Sequence, residues 1–326
     1  MILSTHGRRA LIALAAVTLC SLLAGCGSSG AAATSDHTRT GSSSSPHPAG
    51  FPVTVHAANG AVTIASEPHA IVSLSPTATE DLYAIGAGSQ VVAVDKNSDY
   101  PAGLPTDRID AYHLNVEALT KFRPDLVVAA GLTAAQLAKL RTLGITVLSE
   151  PAAARLSDAY RQIIELGDAT GHATKADSVV ATMKQRIAAV VSSVAKQATG
   201  RSYYYELDQT YYSVTSSTFI GQLLGLLGLH SIADAAKGAA SSGGYPQLDA
   251  EFILKSNPNY LFLADTLCCR QSTTTVANRP GWSTLTAVKD GRVVELNDDI
   301  ASRWGPRIVE LLRTVANAID THPVGP

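Results

Sequence analysis

The sequence predicts an α/β protein with two lobes that contain parallel sheets and are joined by one long helix. From about residue 69 to residue 150, short apolar runs alternate with helical patterns, which is typical of parallel strands with crossover helices. From about residue 157 to residue 198 only helical patterns occur, and the alternation resumes after Gly200. With 326 residues, 46% of them apolar, the chain can bury one large core or two smaller ones.

The first lobe is predicted from apolar runs of strand length separated by helical patterns. Its helix around Leu82 and Ile85 has an apolar face, and a later helix ends at Gly144. In chain order the predicted elements are strand AIVSLS, helix TATEDLYAIGA, strand VVAVD, helix NVEALTKF, strand PDLVVAAG, helix TAAQLAKLRTLG and strand ITVLSE.

Two helical segments, DAYRQIIELGDATG and KADSVVATMKQRIAAVVSSVAKQ, separate the lobes without a strand between them. The second is too long for an ordinary crossover, so we expect it to join the lobes. The segments that continue the alternation in the second lobe are SYYYEL, YYSVTS, FIGQLLGLLG, AEFILKS, NYLFLAD, GRVVELN and the final helix GPRIVELLRTVANAID.

One pattern occurs twice, as NVEALTKFRPDLVV from Asn115 and as DAEFILKSNPNYLFL from Asp249. In each copy an Asn or Asp stands two residues before a Glu, a Pro follows that Glu by seven positions, and an apolar run comes next. Asn and Asp are good helix N-caps, a Glu in the first turn suits the helix dipole, and Pro stops the helix. Local helix geometry alone therefore explains the pattern without any function.

The N-terminus has the features of a secretory signal. A basic start with Arg8 and Arg9 precedes an apolar run that is too short to span a bilayer. LLAGC resembles the bacterial lipobox, which implies cleavage after residue 25, a diacylglyceryl group on Cys26 and anchoring to the outer face of the cytoplasmic membrane. The alternative is an ordinary signal peptide with an incidental Cys26. Residues 26–50 are rich in Gly, Ser and Ala and are predicted to form a flexible tether.

Of the four cysteines, Cys20 lies in the signal, Cys26 is the predicted lipidation site, and Cys268 and Cys269 are neighbours. Thiols outside the membrane tend to oxidise, but neighbouring Cα atoms lie only about 3.8 Å apart. Two outcomes stay open for this pair, a vicinal disulfide or two free thiols. A zinc site is disfavoured because the wider spacing of structural Cys ligands is missing.

Several classes of function are disfavoured by composition and motifs. A net charge of -2, without a basic cluster beyond the start of the chain, offers no field for nucleic acid. The sequence has no Gly-x-Ser-x-Gly elbow, His-Glu-x-x-His pair or phosphate loop, so we expect no enzyme. The histidines are scattered, which also disfavours a manganese or zinc receptor.

Four motifs resemble the solute-binding proteins of ABC importers for vitamin B12, ferric siderophores and haem. They are IVSLSPTATEDLYAIGAGSQVVAVDKNSDYP, NVEALTKFRPDLVVAAG, YPQLDAEFILKSNPNYLFL and GPRIVELL, and the resemblance covers residues 71–319. The chain is most similar to actinobacterial iron(III)-dicitrate or siderophore-binding lipoproteins. The resemblance implies the class III periplasmic binding protein fold, with Rossmann-like lobes at 51–172 and 199–326 and a rigid interlobe helix at 173–198.

The resemblance also implies a partner for the repeated pattern. In this family one surface Glu on each lobe docks on arginines of the ABC permease dimer in the cytoplasmic membrane, and those positions match Glu117 and Glu251. The permease is a pseudo-twofold dimer and needs two equivalent contacts. We expect a monomer that needs no cofactor. A competing function is an envelope-interaction or sensor lipoprotein that uses the same fold without transport.

The cargo implied by the resemblance is a ferric siderophore or haem, with cobalamin as the alternative. Members of the family usually have an aromatic residue at one position of the first lobe. Here that position is Ala111 or Tyr112, depending on where a gap is placed, so the aromatic is not cleanly matched and cobalamin is disfavoured. Tyrosine suits hard ferric iron or haem, and guanidinium groups suit anionic chelates; Arg307 is assigned a structural role. The candidate ligand-binding residues are Tyr100, Tyr112, His113, Tyr212, Tyr245, Arg270, Arg303 and Trp304.

Overall fold

Two parallel sheets, each flanked by helices, form the two lobes. The computed structural model describes residues 50–324, apart from the side chains of residues 195–198. The predicted signal peptide, Cys26 and nearly all of the predicted tether lie outside the described residues. Residues 46–326 belong to one compact unit, whose main apolar core includes side chains from both lobes.

The N-terminal lobe contains an antiparallel hairpin and a five-stranded parallel sheet. Its elements are β1 (Val53–Ala57), β2 (Gly60–Ile64), β3 (Ile71–Leu74), α1 (Pro76–Ala84), β4 (Val91–Asp95), β5 (Arg108–Ile109), α2 (Val116–Leu119), β6 (Leu126–Ala129), α3 (Ala134–Thr142), β7 (Val147–Ser149) and α4 (Leu156–Thr170). The sheet order is β5-β4-β3-β6-β7, with β1 and β2 forming the separate hairpin. Strands β3 and β6 are buried on both faces, which explains why their sequences are mainly apolar and do not alternate with exposed polar residues.

The hairpin of β1 and β2 was not predicted from the sequence. Its turn covers the edge strand β7: the Asn59 side-chain amide donates to the Val147 carbonyl at 2.9 Å and accepts from the Ser149 amide at 3.0 Å. The edge of the sheet is thereby capped, so its backbone groups are not left open to another chain.

A single helix of 26 residues, α5 (Ala173–Ala198), connects the lobes. At 1.5 Å per residue it is about 39 Å long. One stripe of the helix is buried at spacings of three, four and seven residues, as an amphipathic helix requires. The stripe consists of Ala176, Val180, Met183, Ile187 and Val194.

The C-terminal lobe contains a four-stranded parallel sheet. Its elements are β8 (Arg201–Glu206), α6 (Phe219–Leu226), β9 (Leu229–Ser231), α7 (Ala250–Ser256), β10 (Tyr260–Leu263), α8 (Thr273–Ala277), α9 (Thr286–Lys289), β11 (Val293–Glu295), α10 (Asp298–Ser302) and α11 (Ile308–Thr321). The order is β11-β10-β8-β9. Segment YYSVTS adds no strand to it, because Tyr211 is left-handed with φ 70° and Tyr212 makes only an isolated bridge to Gln247.

The repeated sequence pattern adopts the same local structure in both lobes. The Asn115 side chain accepts a hydrogen bond from the Ala118 amide at 3.2 Å and caps α2. The Asp249 side chain does the same for the Phe252 amide at 2.7 Å and caps α7. Each copy also has a left-handed residue directly before its proline, Arg123 (φ 46°) and Asn257 (φ 42°). The two copies are therefore alike in structure as well as in sequence.

Candidate functional site

A cleft of about 660 Å³ lies between the two lobes. Its N-terminal wall is built at the carboxyl ends of β3, β4 and β6, the edge at which open α/β sheets bind ligands. Ser75 starts α1 at this wall, since its side chain caps the helix and Pro76 occupies the first helical position. Described residues of the N-terminal lobe that line the cleft include Leu74, Ser75, Thr77, Asp95, Asn97, Ala111, Tyr112, Ala129, Ala130, Gly131, Leu132, Thr133, Gln136 and Ala152.

The C-terminal wall comes from α10 and the turn that leads into α11. Asp299, Ser302, Arg303 and Trp304 supply it. Asn297 caps α10 through the Ile300 amide, at 3.0 Å. The cleft lining is thus mainly small apolar groups, hydroxyls and amides, and Arg303 is the one cation among the described lining residues.

The guanidinium of Arg303 is held by carboxylates from both lobes. It donates to Glu80 of α1 at 2.8 Å, to Asp99 at 2.6 Å and to Asp299 at 2.6 Å. A fourth bond, at 3.0 Å, goes to the Asn97 carbonyl. Because Arg303 is only 7% exposed, these partners offset the cost of burying its charge. The side chain lines the cleft, but its donors are engaged within the protein.

Arg307 completes this interlobe contact. Its Nε donates to the second carboxylate oxygen of Glu80 at 2.8 Å. Its guanidinium carbon also lies 4.1 Å from the centre of the Tyr100 ring, within cation–π range. Tyr100 therefore contacts the opposite lobe, and it is not among the described cleft-lining residues.

Asp299 faces Asp99 across the lobe boundary, beside Arg303. Burial, and next a hydrogen bond shared with Asp99, raise the pKa of Asp299 to about 6. The nearby guanidinium groups of Arg303 and Arg307 act in the opposite direction. The pair of carboxyls thus gives the interlobe contact a group that titrates near neutral pH.

Trp304 lines the cleft, and hydrogen bonds fix its orientation. Its indole N–H donates to the Gln162 side-chain oxygen at 2.7 Å, and the Gln162 amide donates to the Pro151 carbonyl at 2.7 Å. Trp304 is half-buried and lines the cleft, so part of its ring is available to a ligand.

Tyr112 is the most exposed aromatic residue of the cleft, with 81% of its surface accessible. Asp110 fixes its loop by accepting the backbone amides of Tyr112 at 3.0 Å and His113 at 3.1 Å. Asp110 also contacts the His113 ring at 3.2 Å and Lys96 at 2.7 Å. The hydrogen bonds from Lys96 and His113 hold the Asp110 pKa well below its usual value. Tyr112 is thus presented by a fixed loop, while His113 points into solvent against Asp110.

Three further predicted residues lie at the carboxyl edge of the C-terminal sheet but do not line the described cavity. Tyr212 follows β8 and is 41% exposed, and Tyr245 is 44% exposed. Their segments are joined through the Ser213 amide, which donates to the Pro246 carbonyl at 3.0 Å. Arg270 is exposed and left-handed, with φ 55°. The structure therefore gathers only Tyr112, Arg303 and Trp304 around the cavity itself.

Buried carboxyls behind the cleft were missed by sequence reasoning. Both oxygens of Glu150 lack a hydrogen-bond partner among the described atoms, and burial, followed by the charge of Glu165, raises its pKa to about 9. Burial likewise raises the Asp81 pKa well above its usual value. In the other lobe, burial and the neighbouring Glu206 raise the Asp265 pKa to about 7. No local sequence signal marks these groups, because only the tertiary packing removes them from water.

The residues that the structure describes contain no preformed metal site. Between residues 50 and 324, no three His, Cys, Asp or Glu side chains come together as potential metal ligands. Cys268 and Cys269 form a vicinal disulfide with Cα atoms 3.8 Å apart.

Glu117 and Glu251 occupy equivalent places on the two lobes. Each is exposed in the first turn of a helix that begins at the carboxyl edge of its sheet. Their surroundings differ, because Glu117 is ion-paired with Lys139 of α3, which lowers the Glu117 pKa, whereas no ion pair involving Glu251 occurs among the described residues.

Comparison with known proteins identifies the architecture. A model of the family named periplasmic binding protein matches residues 71–300, more than half of the chain. The chain belongs to the periplasmic binding protein family. This confirms the resemblance inferred from the four motifs and the class III fold. Members of this family are non-enzymatic, extracytoplasmic substrate-binding components that partner with the permease and ATPase components of ABC transporters.

Two relatives and one solved structure are similar to this periplasmic binding protein over most of its length. An uncharacterized ABC transporter substrate-binding lipoprotein of Bacillus subtilis is 33% identical over 82% of this chain and 86% of its own length. A cobalamin-binding protein of Halobacterium salinarum is 32% identical over 84% of this chain and 76% of its own. The crystal structure of a possible iron-binding periplasmic solute-binding protein from Staphylococcus epidermidis has a TM-score of 0.66 and 28% identity, over 78% of this chain and 99% of that one.

The described part of the periplasmic binding protein contains no candidate membrane-spanning helix. None of the helices between residues 50 and 324 combines the length and apolar character of a bilayer crossing. Lipidation of Cys26, which lies outside the described residues, stays a prediction.

Proposed function

We propose that this periplasmic binding protein is lipid-anchored at Cys26, binds a corrinoid of the cobalamin type in its interlobe cleft, and delivers it to an ABC import permease. The observation that carries the choice of cargo is the cleft lining. Small apolar groups, hydroxyls and amides form most of the described lining, and Arg303, the one cation among the described lining residues, is bound by Glu80, Asp99 and Asp299.

This lining suits a corrinoid better than an anionic iron chelate. A corrinoid has a broad ring bordered by neutral amide groups, which can pack on apolar surface and exchange hydrogen bonds with hydroxyls such as Ser75, Thr77 and Thr133. A ferric citrate or catecholate complex carries negative charge and is held best by guanidinium groups with free donors. The Halobacterium relative, named a cobalamin-binding protein, also supports a corrinoid over an iron chelate.

Haem or a ferric siderophore is the second candidate, and Tyr112 is the observation that favours it. Tyr112 is 81% exposed at the cleft, beside His113, and oxygen or nitrogen donors of this kind can bind ferric iron. The solved relative described as possibly iron-binding points the same way. This candidate would use Tyr112 as an iron ligand, whereas a corrinoid would use it as an aromatic contact.

A titration of residues 46–326 tests the cargo. Cyanocobalamin, haemin, ferric citrate and a ferric hydroxamate are added separately, and binding is followed by calorimetry and absorbance. We expect cyanocobalamin to bind with a Kd below about 1 µM, equivalent to about -8 kcal/mol, and to bind more tightly than the iron complexes. Tighter binding of haemin, with a change in its absorbance that Tyr112→Phe removes, would replace the corrinoid by haem.

Delivery to a permease is tested by the docking residues. If the protein acts in transport, charge reversal at Glu117 and Glu251 abolishes uptake while cargo affinity stays unchanged. If the protein is instead an envelope-interaction or sensor protein, cargo uptake by the cell should be the same with and without the two changes.

A further inference from the structure

Exposed apolar side chains are concentrated at the cleft edge of the two lobes. Among the described residues, seven large apolar side chains are strongly exposed. Leu143 and Leu226 stand at the ends of α3 and α6, which lead to the amino edges of the sheets. The other five lie on loops at the carboxyl edges that flank the cleft: Tyr100, Tyr112, Tyr212, Tyr245 and Leu267.

Leu267 differs from the tyrosines because it has no polar atom that would favour contact with water. It is 58% exposed and directly precedes the disulfide of Cys268 and Cys269. Cys268 is exposed as well, so the tip of this loop, which we call the 267–269 tip, presents three consecutive weakly polar side chains. The tip therefore offers a ligand an apolar contact surface next to the tyrosines of the same edge.

The 267–269 tip is held in place by Asp298 at the start of α10. The Asp298 carboxylate accepts the backbone amides of Thr266 at 2.8 Å, Leu267 at 3.0 Å and Cys268 at 2.8 Å. The disulfide removes further freedom by linking adjacent residues. A loop fixed in this way loses little entropy when it binds a ligand.

The same helix start connects the tip to the cleft. Asp299, the residue after Asp298, lines the cavity and binds Arg303 at 2.6 Å. The loop itself follows β10, and the parallel strands of this sheet place their carboxyl ends at one edge. The 267–269 tip is not among the described cleft-lining residues, but through Asp298 it lies next to the C-terminal wall of the cleft.

We propose that the 267–269 tip is an apolar subsite for the cargo, in which Leu267 and the Cys268–Cys269 disulfide pack on the ring of the bound corrinoid. The inference rests on the proposed function and deepens it, because it names a ring contact on the C-terminal lobe. It also assigns the disulfide to ligand binding: the bond holds Leu267 toward the cargo instead of joining distant parts of the fold.

The test compares two exposed leucines in residues 46–326. Leu267→Ala and Leu226→Ala each remove the same apolar group, at the cleft edge and at the amino edge respectively, from sites that are 58% and 42% exposed. We expect Leu267→Ala to weaken cyanocobalamin binding about ten-fold, as burial of a leucine side chain suggests, and Leu226→Ala to leave it unchanged. Equal affinities of the two variants, with equal melting temperatures, would overturn the subsite.

The disulfide is tested in the same fragment, which has no other cysteine. The double variant Cys268→Ser/Cys269→Ser should weaken cyanocobalamin binding several-fold, and wild-type protein treated with a phosphine reductant should show the same loss. Unchanged affinity in both cases would remove the disulfide from the subsite. Thermal unfolding measured alongside separates this effect from a loss of folding.

A probe independent of the cargo separates the subsite from the proposed function. Anilinonaphthalene sulfonate fluoresces on exposed apolar surface, and its signal should fall in Leu267→Ala but not in Leu226→Ala. If none of the cargo candidates binds and this difference is seen, the corrinoid assignment is wrong and the apolar subsite stands. If the probe signal is the same in both variants and in wild type, the subsite is wrong.

Discussion

Arg303 of the C-terminal lobe and Glu80 of the N-terminal lobe form a buried ion pair, with 2.8 Å between the guanidinium nitrogen and the carboxylate oxygen. The residues are separated by 223 positions in sequence. Arg307 binds the same carboxylate, so Glu80 receives two guanidinium groups from the opposite lobe. The lobes are thus joined by charge pairing as well as by α5, which limits how far they can separate.

Removal of Arg303 should destabilise the protein. Arg303→Ala removes one of the two guanidinium groups that balance the buried charge of Glu80. Loss of one partner of a buried ion pair typically lowers the free energy of unfolding by about 3–5 kcal/mol. Urea unfolding followed by circular dichroism measures the change. The control is Lys96→Ala, which breaks the exposed pair with Asp110 and should cost less than about 1 kcal/mol. Equal costs for the two variants would contradict the structural role of the interlobe pair.

Replacement of Glu150 should change how stability depends on pH. Its pKa is raised from the usual 4.5 to about 9, so the folded protein keeps a proton that the unfolded chain releases above 4.5. Stability therefore falls as pH rises from about 4.5 to about 9. Glu150→Gln removes this dependence and should be more stable than wild type at pH 8, by at least about 1 kcal/mol, with no difference at pH 4.

Glu117 provides a control of opposite sign for that experiment. The hydrogen bond from Lys139 lowers the Glu117 pKa, so its contribution to stability is present at neutral pH and is lost as the pH falls through the lowered pKa. Glu117→Gln should therefore be slightly less stable than wild type at neutral pH. A gain in stability at pH 8 from both Gln variants would show that the effect is not specific to the buried site.

The two tryptophans allow the cargo site to be located by fluorescence. Trp304 lines the cleft, whereas Trp282 is 1% exposed in the core of the C-terminal lobe. Cargo binding should quench the nearer Trp304 most strongly, so quenching should be larger in Trp282→Phe than in Trp304→Phe. Calorimetry on both variants verifies that cargo still binds. Loss of quenching only in Trp282→Phe would place the cargo elsewhere.

Docking should depend on Glu251 more strongly than on a comparable surface carboxylate. Glu251→Lys should abolish stimulation of the permease ATPase in proteoliposomes, because a pairing with arginine becomes a repulsion. Glu310 is also exposed in the first turn of a helix, α11, and Glu310→Lys should have little effect. Equal stimulation by the two variants would argue against docking at this position.

Lys139 offers a finer test of the same surface. It pairs with Glu117, so it competes with any permease arginine for that carboxylate. Lys139→Ala should strengthen association with the permease up to about five-fold, the upper range for an exposed ion pair. Weaker association would mean that Lys139 itself contacts the permease.

The sequence by itself determined the family and most of the longer helices and strands. Apolar runs such as β3 and β6 are buried on both faces and therefore read as strands, and the length of α5 separates the two alternating halves. The repeat around Glu117 and Glu251 was readable because capping and helix stops are local chemistry. The hairpin β1–β2 was overlooked although it is local: five residue pairs join its strands, and the neighbouring Asn59 and Gly60 are typical turn residues.

Only the tertiary structure decided the state of the site. Arg303 was predicted at the cleft, but its carboxylate partners Glu80 and Asp99 are distant in sequence and could not be paired with it beforehand. The raised pKa of Glu150 likewise follows from burial, which depends on every element packed around it. Local interactions are encoded within a few residues, whereas charge pairing and desolvation arise only when the lobes bring distant segments together.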